Sequence, residues 1–337
     1  MLHEGMQSAT TGTLVRTASV RDPDISVVVP TYNRSTIVLQ SVQTVLGLEE
    51  ANFEIVAVDD GSSDRTVEAL ATLGHPRVSV ISLPKNYGAG LARNAGIAAA
   101  RAPVIAFLDS DDLYLAGRLQ LPLSLLRNRP GVGIVMSAFT TEKQAKRTLY
   151  SMPCRLHRGA ELERLVARHI LQPTTSGLTL RRELLIAVGG FDAGLRWMED
   201  RDLVMRAARH ADGATINQPL WHKRWQPDGI SSNHATYFPS LLTFLNKHPI
   251  YSHQELMFRN YLIARHLVKI ALHFGVSVAM RDYQEALRRF SPRLPPLPML
   301  LFSYFRARKS RRAQQSKLFQ TGGHYDGEKN GDCLAAH

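Results

Sequence analysis

"VIAFLDSDDL", Val104 to Leu113, decides how the chain is read. Its first five residues are apolar, with β-branched and aromatic members, which is the composition of a strand buried on both faces. That strand runs straight into Asp109, Asp111 and Asp112. Three like charges within four positions repel one another and cost stability unless a cation, hydrogen bonds or solvent relieves them. The question is what the acids accommodate.

Upstream of this stretch, short apolar strands alternate with helix-period segments. "ISVVV" begins at Ile25 and is followed by "STIVLQSVQTVL", which puts Val38, Val42 and Val45 on one face. "FEIVAV", "DRTVEALATL", "RVSVIS" and the helical segment from Gly88 to Ala100 come next. The alternation predicts an α/β architecture, a Rossmann-like, mostly parallel sheet flanked by helices. Ligands of such sheets collect where strands end at their carboxyl edges. There stand "PTYNR" after the first strand, "DDGSSD" after the second and "LDSDD" after the fourth, three polar clusters expected to share one crevice. In "DDGSSDRT", Ser62 or Ser63 is placed to cap the next helix while Asp64 complements its dipole.

Past about residue 130 the rhythm changes to strand-like "VGIVMS", helix-like "GAELERLVARHI" and then "TTSGLTLRRELLIAVGGFD". "MEDRDLVMRAARH" opens with acids and continues at helical spacing. Beyond Trp221 the strand signals fade, and residues 237 to 290 read as amphipathic helices with basic faces. The expected organisation is a flexible arm over 1–24, a catalytic domain over 25–235, a basic helical extension over 236–312 and a disordered tail over 313–337.

The 337 residues are 44% hydrophobic and 21% charged, ordinary for a globular protein, and carry a formal charge of +12. Such a surplus points to nucleic acid, a phosphorylated ligand or a lipid surface without choosing among them. "RARKSRR", Arg306 to Arg312, places five cations in seven residues. Cys154 and Cys333 lie in no CxxC or Cys/His pattern, which indicates neither a disulfide scaffold nor zinc and fits a reducing cytoplasm. The first 24 residues hold no stretch of signal-peptide character. "LPPLPMLLFSYF", Leu294 to Phe305, has three prolines in 12 residues. It can lie on a membrane but is too short to span one, which takes roughly 20 apolar residues.

The clusters carry specific chemistry. Asp109, Asp111 and Asp112 supply hard oxygen ligands suited to Mg²⁺ or Mn²⁺, or else form a solvated helix-capping turn. In "KNYGAGLARNAG", Gly88 and Gly90 begin a dinucleotide fingerprint, but its third glycine position holds Arg93, so the fingerprint fails. Arg93 then reads either as a phosphate or base contact or as a surface arginine on an ordinary helix. Tyr32 can stack on a nucleobase beside Pro30, or merely cover a core edge. Glu199, Asp200 and Asp202 either complement a helix dipole or contribute a general base. "GGFD" ahead of them reads as a flexible loop closing over substrate.

"VVVPTYNR", "VDDGSSDRT", "NYGAGLARNAGI", "FLDSDDL", "GGFD" and "EDRDLVMR", in this order, resemble the family-two glycosyltransferases of the GT-A fold over roughly Ile25 to Ser231. The resemblance implies an inverting enzyme that moves a sugar from a nucleoside-diphosphate donor, a UDP-sugar, to an acceptor hydroxyl with Mn²⁺ or Mg²⁺. It implies that Tyr32 and Asp60 hold the base with Pro30 lining the pocket. Arg93 would contact base or phosphate, Asp109 the ribose or donor sugar, and Asp111 or Asp112 the metal. Asp200 would be the base, with Glu199 supporting it or binding acceptor.

One departure stands out. Where relatives carry an Arg-x-His-like segment this chain has "LWHKRWQPDGIS", with Trp225 near the histidine position and His222 two or three positions early. His222, Lys223 and Arg224 are left as possible diphosphate contacts. Gln218 and Arg224 are too far apart for the Gln-x-x-Arg-Trp pattern of processive synthases. The implied acceptor is a glycan or glycolipid of surface polysaccharide synthesis, with the chain in the cytoplasm or at the inner face of the membrane. The C-terminal basic helices either dock peripherally on anionic lipid or pack on the catalytic domain. Two rival functions remain: a non-catalytic binder of nucleotide-sugar or, less favoured, nucleic acid, and a nucleotidyltransferase.

Overall fold

A computed structural model describes residues 12–16, 20–143, 146–225 and 236–321. Among them eleven strands form one mixed sheet. They are β1 (Thr13–Arg16), β2 (Ile25–Thr31), β3 (Phe53–Asp59), β4 (Val78–Ser82), β5 (Val104–Phe107), β6 (Leu113–Tyr114), β7 (Val132–Lys143), β8 (Lys146–Tyr150), β9 (Arg155–His157), β10 (Leu178–Arg181) and β11 (Asp212–Lys223). The helices are α1 (Ile37–Leu46), α2 (Thr66–Thr72), α3 (Ala89–Ala99), α4 (Gln120–Asn128), α5 (Gly159–Ala167), α6 (Arg182–Ala187), α7 (Glu199–Ala207), α8 (Tyr237–Lys247), α9 (Ile250–His253), α10 (Leu256–Phe274), α11 (Val276–Phe290) and α12 (Leu297–Thr321).

The strand order is β1-β4-β3-β2-β5-β10-β7-β11-β6, with β8 on β7 and β9 on β11. β4, β3, β2 and β5 run parallel, as the alternation predicts. β10 then runs antiparallel to both β5 and β7, and β11 is parallel to β7. β2 and β3 are buried along their whole length, which continuous runs such as "ISVVV" permit. Thr31 pairs with Asp59 and Val28 with Phe107, so three carboxyl ends finish side by side.

Alternate residues of β2 feed opposite faces of the sheet. Val27 and Val29 pack with Val38, Val42 and Val45 of α1, the face read from the sequence. Val28 joins Phe107, Ile134 and Leu203 on the other face. Leu241 and Phe244 of α8, Tyr261 of α10, and Leu300 and Leu318 of α12 belong to that same cluster. The C-terminal helices therefore share a core with the sheet.

Two expectations change. Within the arm, Thr13–Arg16 is not loose but an edge strand paired antiparallel to β4; residues 1–11 and 17–19 lie outside the described set. α12 runs to Thr321, into the segment read as a disordered tail, because Leu318 is buried and Gln314 accepts a hydrogen bond from Arg168. Residues 322–337 lie outside the described set. Cys154 is buried, and Cys333 lies outside the described residues. No helix among the described residues is long and apolar enough to cross a membrane.

Candidate active site

The loops after β2 and β3 are stitched together by their own polar residues. Ser62 donates its amide to Asp59 at 3.0 Å, its hydroxyl also donates to Asp59, and its oxygen accepts the Asn33 amide at 2.8 Å. Ser63 donates its amide to Asn33 Oδ1 at 2.8 Å. Contrary to the expectation that Ser62 or Ser63 caps the next helix, neither does; α2 begins later, and Asp64 accepts the Thr66 amide at 3.0 Å. Burial raises the Asp64 pKa, but hydrogen bonds from Thr66 and Ser35 outweigh it and leave the carboxyl below its ordinary range. Gly61 has φ +72°, and a Cβ there would sit 2.4 Å from the Lys85 backbone. Only glycine lets these loops approach so closely.

Asp60 is buried and accepts the amides of Tyr87 and Gly88, each at 2.8 Å, which ties β3 to the loop ahead of α3. Burial nevertheless raises its pKa. Each oxygen keeps lone-pair capacity for one further donor. Pro30 is buried at the end of β2, and the Tyr32 ring is exposed just beyond it.

The acidic knot after β5 is organised by a residue that the sequence reading missed. Ser176 accepts the Asp109 amide at 3.0 Å and donates to Asp112 Oδ2 at 2.6 Å. The turn that carries it, Thr175–Gly177, is held by the buried guanidinium of Arg118, which donates to the Ser176 carbonyl at 2.9 and 3.1 Å, to the Leu178 carbonyl at 2.8 Å and to Thr179 Oγ1 at 2.7 Å. Asp112 is buried and its Oδ1 has no hydrogen-bond partner. Desolvation first, then the charges of Asp109 and Asp111, push Asp112 well above the usual carboxylate range, while Lys223 draws it back. Asp111 is raised by the same causes, desolvation and Asp109.

An orphaned buried carboxylate oxygen beside a second unrelieved carboxylate fits a hard divalent cation. Among the described residues no three or more His, Cys, Asp or Glu residues form a cage by themselves. The set therefore suits a cation held by one or two carboxylates with phosphate and water completing its shell, as Mg²⁺ commonly is.

Arg93 joins this knot to the second acidic cluster. Its buried guanidinium contacts Asp109 at 2.7 Å and Glu199 at 3.4 Å and lies 5.1 Å from the Phe191 ring centre, while its Nε has no hydrogen-bond partner. It is thus no surface arginine, and two of its arms are already engaged by carboxylates. Glu199 and Asp200 open α7 directly after Met198, whose φ of +65° is rare for a side-chain-bearing residue. Burial and then the Asp200 charge push the Glu199 carboxyl up to about 7, against the pull of Arg93. Asp200 is raised mainly by burial, opposed by Arg201.

Asp202 points elsewhere. It accepts from Arg206 at 2.7 and 2.9 Å, Lys247 at 2.8 Å and His248 at 3.0 Å inside the core. Burial raises its pKa, but those partners outweigh it and hold the carboxyl well below its ordinary range. "GGFD" is not a free flap either. Asn94 accepts the Phe191 amide and donates to the Phe191 carbonyl, both at 2.8 Å, and the Phe191 ring packs edge-on against Phe107 at 5.1 Å.

Of the possible diphosphate contacts, Lys223 is exposed and its charge is felt by both Asp111 and Asp112. His222 shares a hydrogen bond of 2.9 Å with Thr140. Arg224 is occupied as a clamp on α1, donating to Ser41 Oγ at 3.1 Å and to the backbone carbonyl of Asp111. Trp225 is exposed at the edge of the described residues, and the rest of "LWHKRWQPDGIS" lies outside them.

Known proteins resemble this chain in sequence and in fold. The succinoglycan biosynthesis protein ExoO of Rhizobium meliloti (strain 1021) is 44% identical over 98 residues, 29% of this chain and 28% of that protein. The Escherichia coli UDP-Glc:alpha-D-GlcNAc-diphosphoundecaprenol beta-1,3-glucosyltransferase WfgD is 33% identical over 102 residues, 31% of this chain and 40% of that one. The chain thus spans less than half the length of either relative. The crystal structure of S. aureus TarS 1-349 in complex with UDP-GlcNAc superposes with a TM-score of 0.64 at 18% identity, covering 90% of this chain and 93% of that one. Residues 26–189 match Glycosyl transferase family 2, and the sheet order with that superposition identifies the GT-A fold.

Proposed function

We propose that the chain transfers a sugar from a UDP-sugar to an acceptor hydroxyl with inversion at the anomeric carbon. The observation that carries this reading is the buried Arg93, whose ion pairs to Asp109 and Glu199 bring two acidic clusters to one crevice. Single displacement needs both clusters: a proton acceptor on one side of the reacting carbon and charge neutralisation of the leaving diphosphate on the other. The acceptor oxygen bonds to the anomeric carbon as the bond to the diphosphate oxygen breaks. The hydroxyl proton passes to Asp200, supported by Glu199, and the nucleoside diphosphate leaves.

Tyr32, Pro30 and Asp60 receive the base, and Asp109 the ribose or donor sugar. Asp111 and Asp112 would hold Mn²⁺ or Mg²⁺, which when bound supplies positive charge to the diphosphate. Lys223 is the side chain of the "HKR" run best placed to add to that charge. The names of the relatives, one in succinoglycan biosynthesis and one acting on a sugar-diphosphoundecaprenol, support a glycan or glycolipid acceptor; the acceptor would be met in the cytoplasm, at the inner membrane face.

The test is to incubate the protein with UDP-sugars and Mn²⁺ and to identify the released nucleotide and the product anomer. UDP with an inverted anomer is expected. Sugar 1-phosphate in place of UDP, the leaving group of nucleotidyl transfer from such a donor, would indicate a nucleotidyltransferase, and absence of turnover for every donor would indicate a binder. Asp200→Asn should lower turnover about 10²- to 10⁴-fold, the range of general-base contributions, with donor affinity kept.

A further inference from the structure

The first two turns of α12 expose what a surface helix normally buries. Leu300, Ala307 and Leu318 face the core, and Tyr304 stacks on Tyr261 of α10 at 5.6 Å. The opposite, solvent-facing stripe reads Met299, Phe302, Phe305, Arg306, Lys309, Arg312. Arg168 bonds both Glu255 and Gln314, and Tyr261 meets Tyr304, so α12 runs antiparallel to α10. Its first turns therefore lie toward the corner between α10 and α11. That corner exposes Leu272 and Val276. These five apolar side chains, Leu272, Val276, Met299, Phe302 and Phe305, are between 62% and 79% exposed. Exposed Lys269 and Arg281 flank the corner, as Arg306, Lys309 and Arg312 follow along α12.

We propose that this surface, the α10–α11 corner with the outer face of α12, docks the protein peripherally on an anionic lipid bilayer. Apolar side chains at one end of a helix beside cations at the other match the two layers of a membrane interface, acyl boundary and anionic headgroup. Self-association through the same surface would bring the cations of two copies, each chain carrying +12, against one another. Prolines and length keep the segment at the interface. The proposal stands on exposure and charge and is independent of the transfer chemistry.

The test is cosedimentation of the full chain with phosphatidylcholine vesicles, with and without 30 mol% phosphatidylglycerol, at low and high salt. Binding is expected on the anionic vesicles, with loss at high salt. Phe302→Ser with Phe305→Ser should weaken it at least tenfold. Arg306→Gln, Lys309→Gln and Arg312→Gln together should weaken it on the order of 100-fold, since each cation near such a surface contributes about a factor of five. All five positions face solvent, and an unchanged melting temperature confirms that each variant folds. Should a variant melt lower, Met299→Ser and Lys309→Gln singly give the same reading. Equal binding to neutral and anionic vesicles, no binding at all, or unchanged binding in both variant sets overturns the proposal. So does a wild-type dimer in sedimentation velocity that the serine variant dissociates.

Discussion

Ser176 holds the acidic knot with one hydroxyl, accepting from the Asp109 backbone and donating to Asp112. Ser176→Ala leaves both partners unpaired in a buried place, where each loss costs about 1–3 kcal/mol. Urea unfolding should show a loss in that range, and Mn²⁺, by relieving the freed carboxylate, should stabilise the variant more than it does the wild type. Glu199 titrates in the opposite sense to most surface acids. Its folded-state pKa of about 7 lies above its ordinary 4.5, so the protonated form is favoured by the fold. The stability it contributes is full below about pH 4.5 and is lost as pH rises through about 7. Glu199→Gln should flatten the decline of the unfolding midpoint across that window. These residues also divide what sequence can show from what it cannot. Asp60, Asp109, Asp111, Asp112, Glu199 and Asp200 follow from strand ends and a helix start, because local chain direction sets their place. Ser176 and Arg118 do not, since their partners lie 58 to 67 residues away and their own neighbours carry no periodic signal.

At the level of elements, the parallel strands and their helices were legible because each carries its own period, whereas β1, β6, β8 and β9 are edge or hairpin pieces fixed by pairing. "GGFD" shows the same limit. Two glycines read as freedom, yet Gly190 holds φ +66°, and a Cβ would come 2.3 Å from Asn94 Oδ1, so here glycine admits a clamp. The clamp comes from α3, and its two hydrogen bonds fix the segment that leads to Glu199. Asn94→Ala should raise amide hydrogen exchange across residues 189–194 and lower turnover, by misplacing α7, more than it raises the donor KM. Fast exchange across that segment in the wild type would restore the reading of a mobile flap.

Across the whole molecule, the sequence divides at about residue 235, but the core does not. Phe244, Tyr251, Phe258, Leu262, Leu267 and Leu300 lie in the same buried cluster as Val28, Phe107 and Leu203 of the catalytic sheet. Tyr251 also donates to the Ala167 carbonyl of α5 at 2.8 Å, and Lys247 and His248 both contact the buried Asp202 of α7. Each large apolar side chain buried contributes roughly 1.5–3 kcal/mol, so these six alone approach 10 kcal/mol or more. That equals the entire net stability of a typical domain, about 5–15 kcal/mol. Removing the helices would take the Lys247 cation and the His248 hydrogen bond from buried Asp202 and leave it Arg206 alone, at a further cost of about 1–3 kcal/mol. A chain ended after residue 235 should therefore fail to form the GT-A sheet. It is expected to bind a hydrophobic dye and to lose near-ultraviolet circular dichroism, whereas the chain ended after Thr321 keeps a cooperative melt. A soluble, cooperatively melting 1–235 fragment would mean that the helices are an accessory to the sheet instead of half of its core.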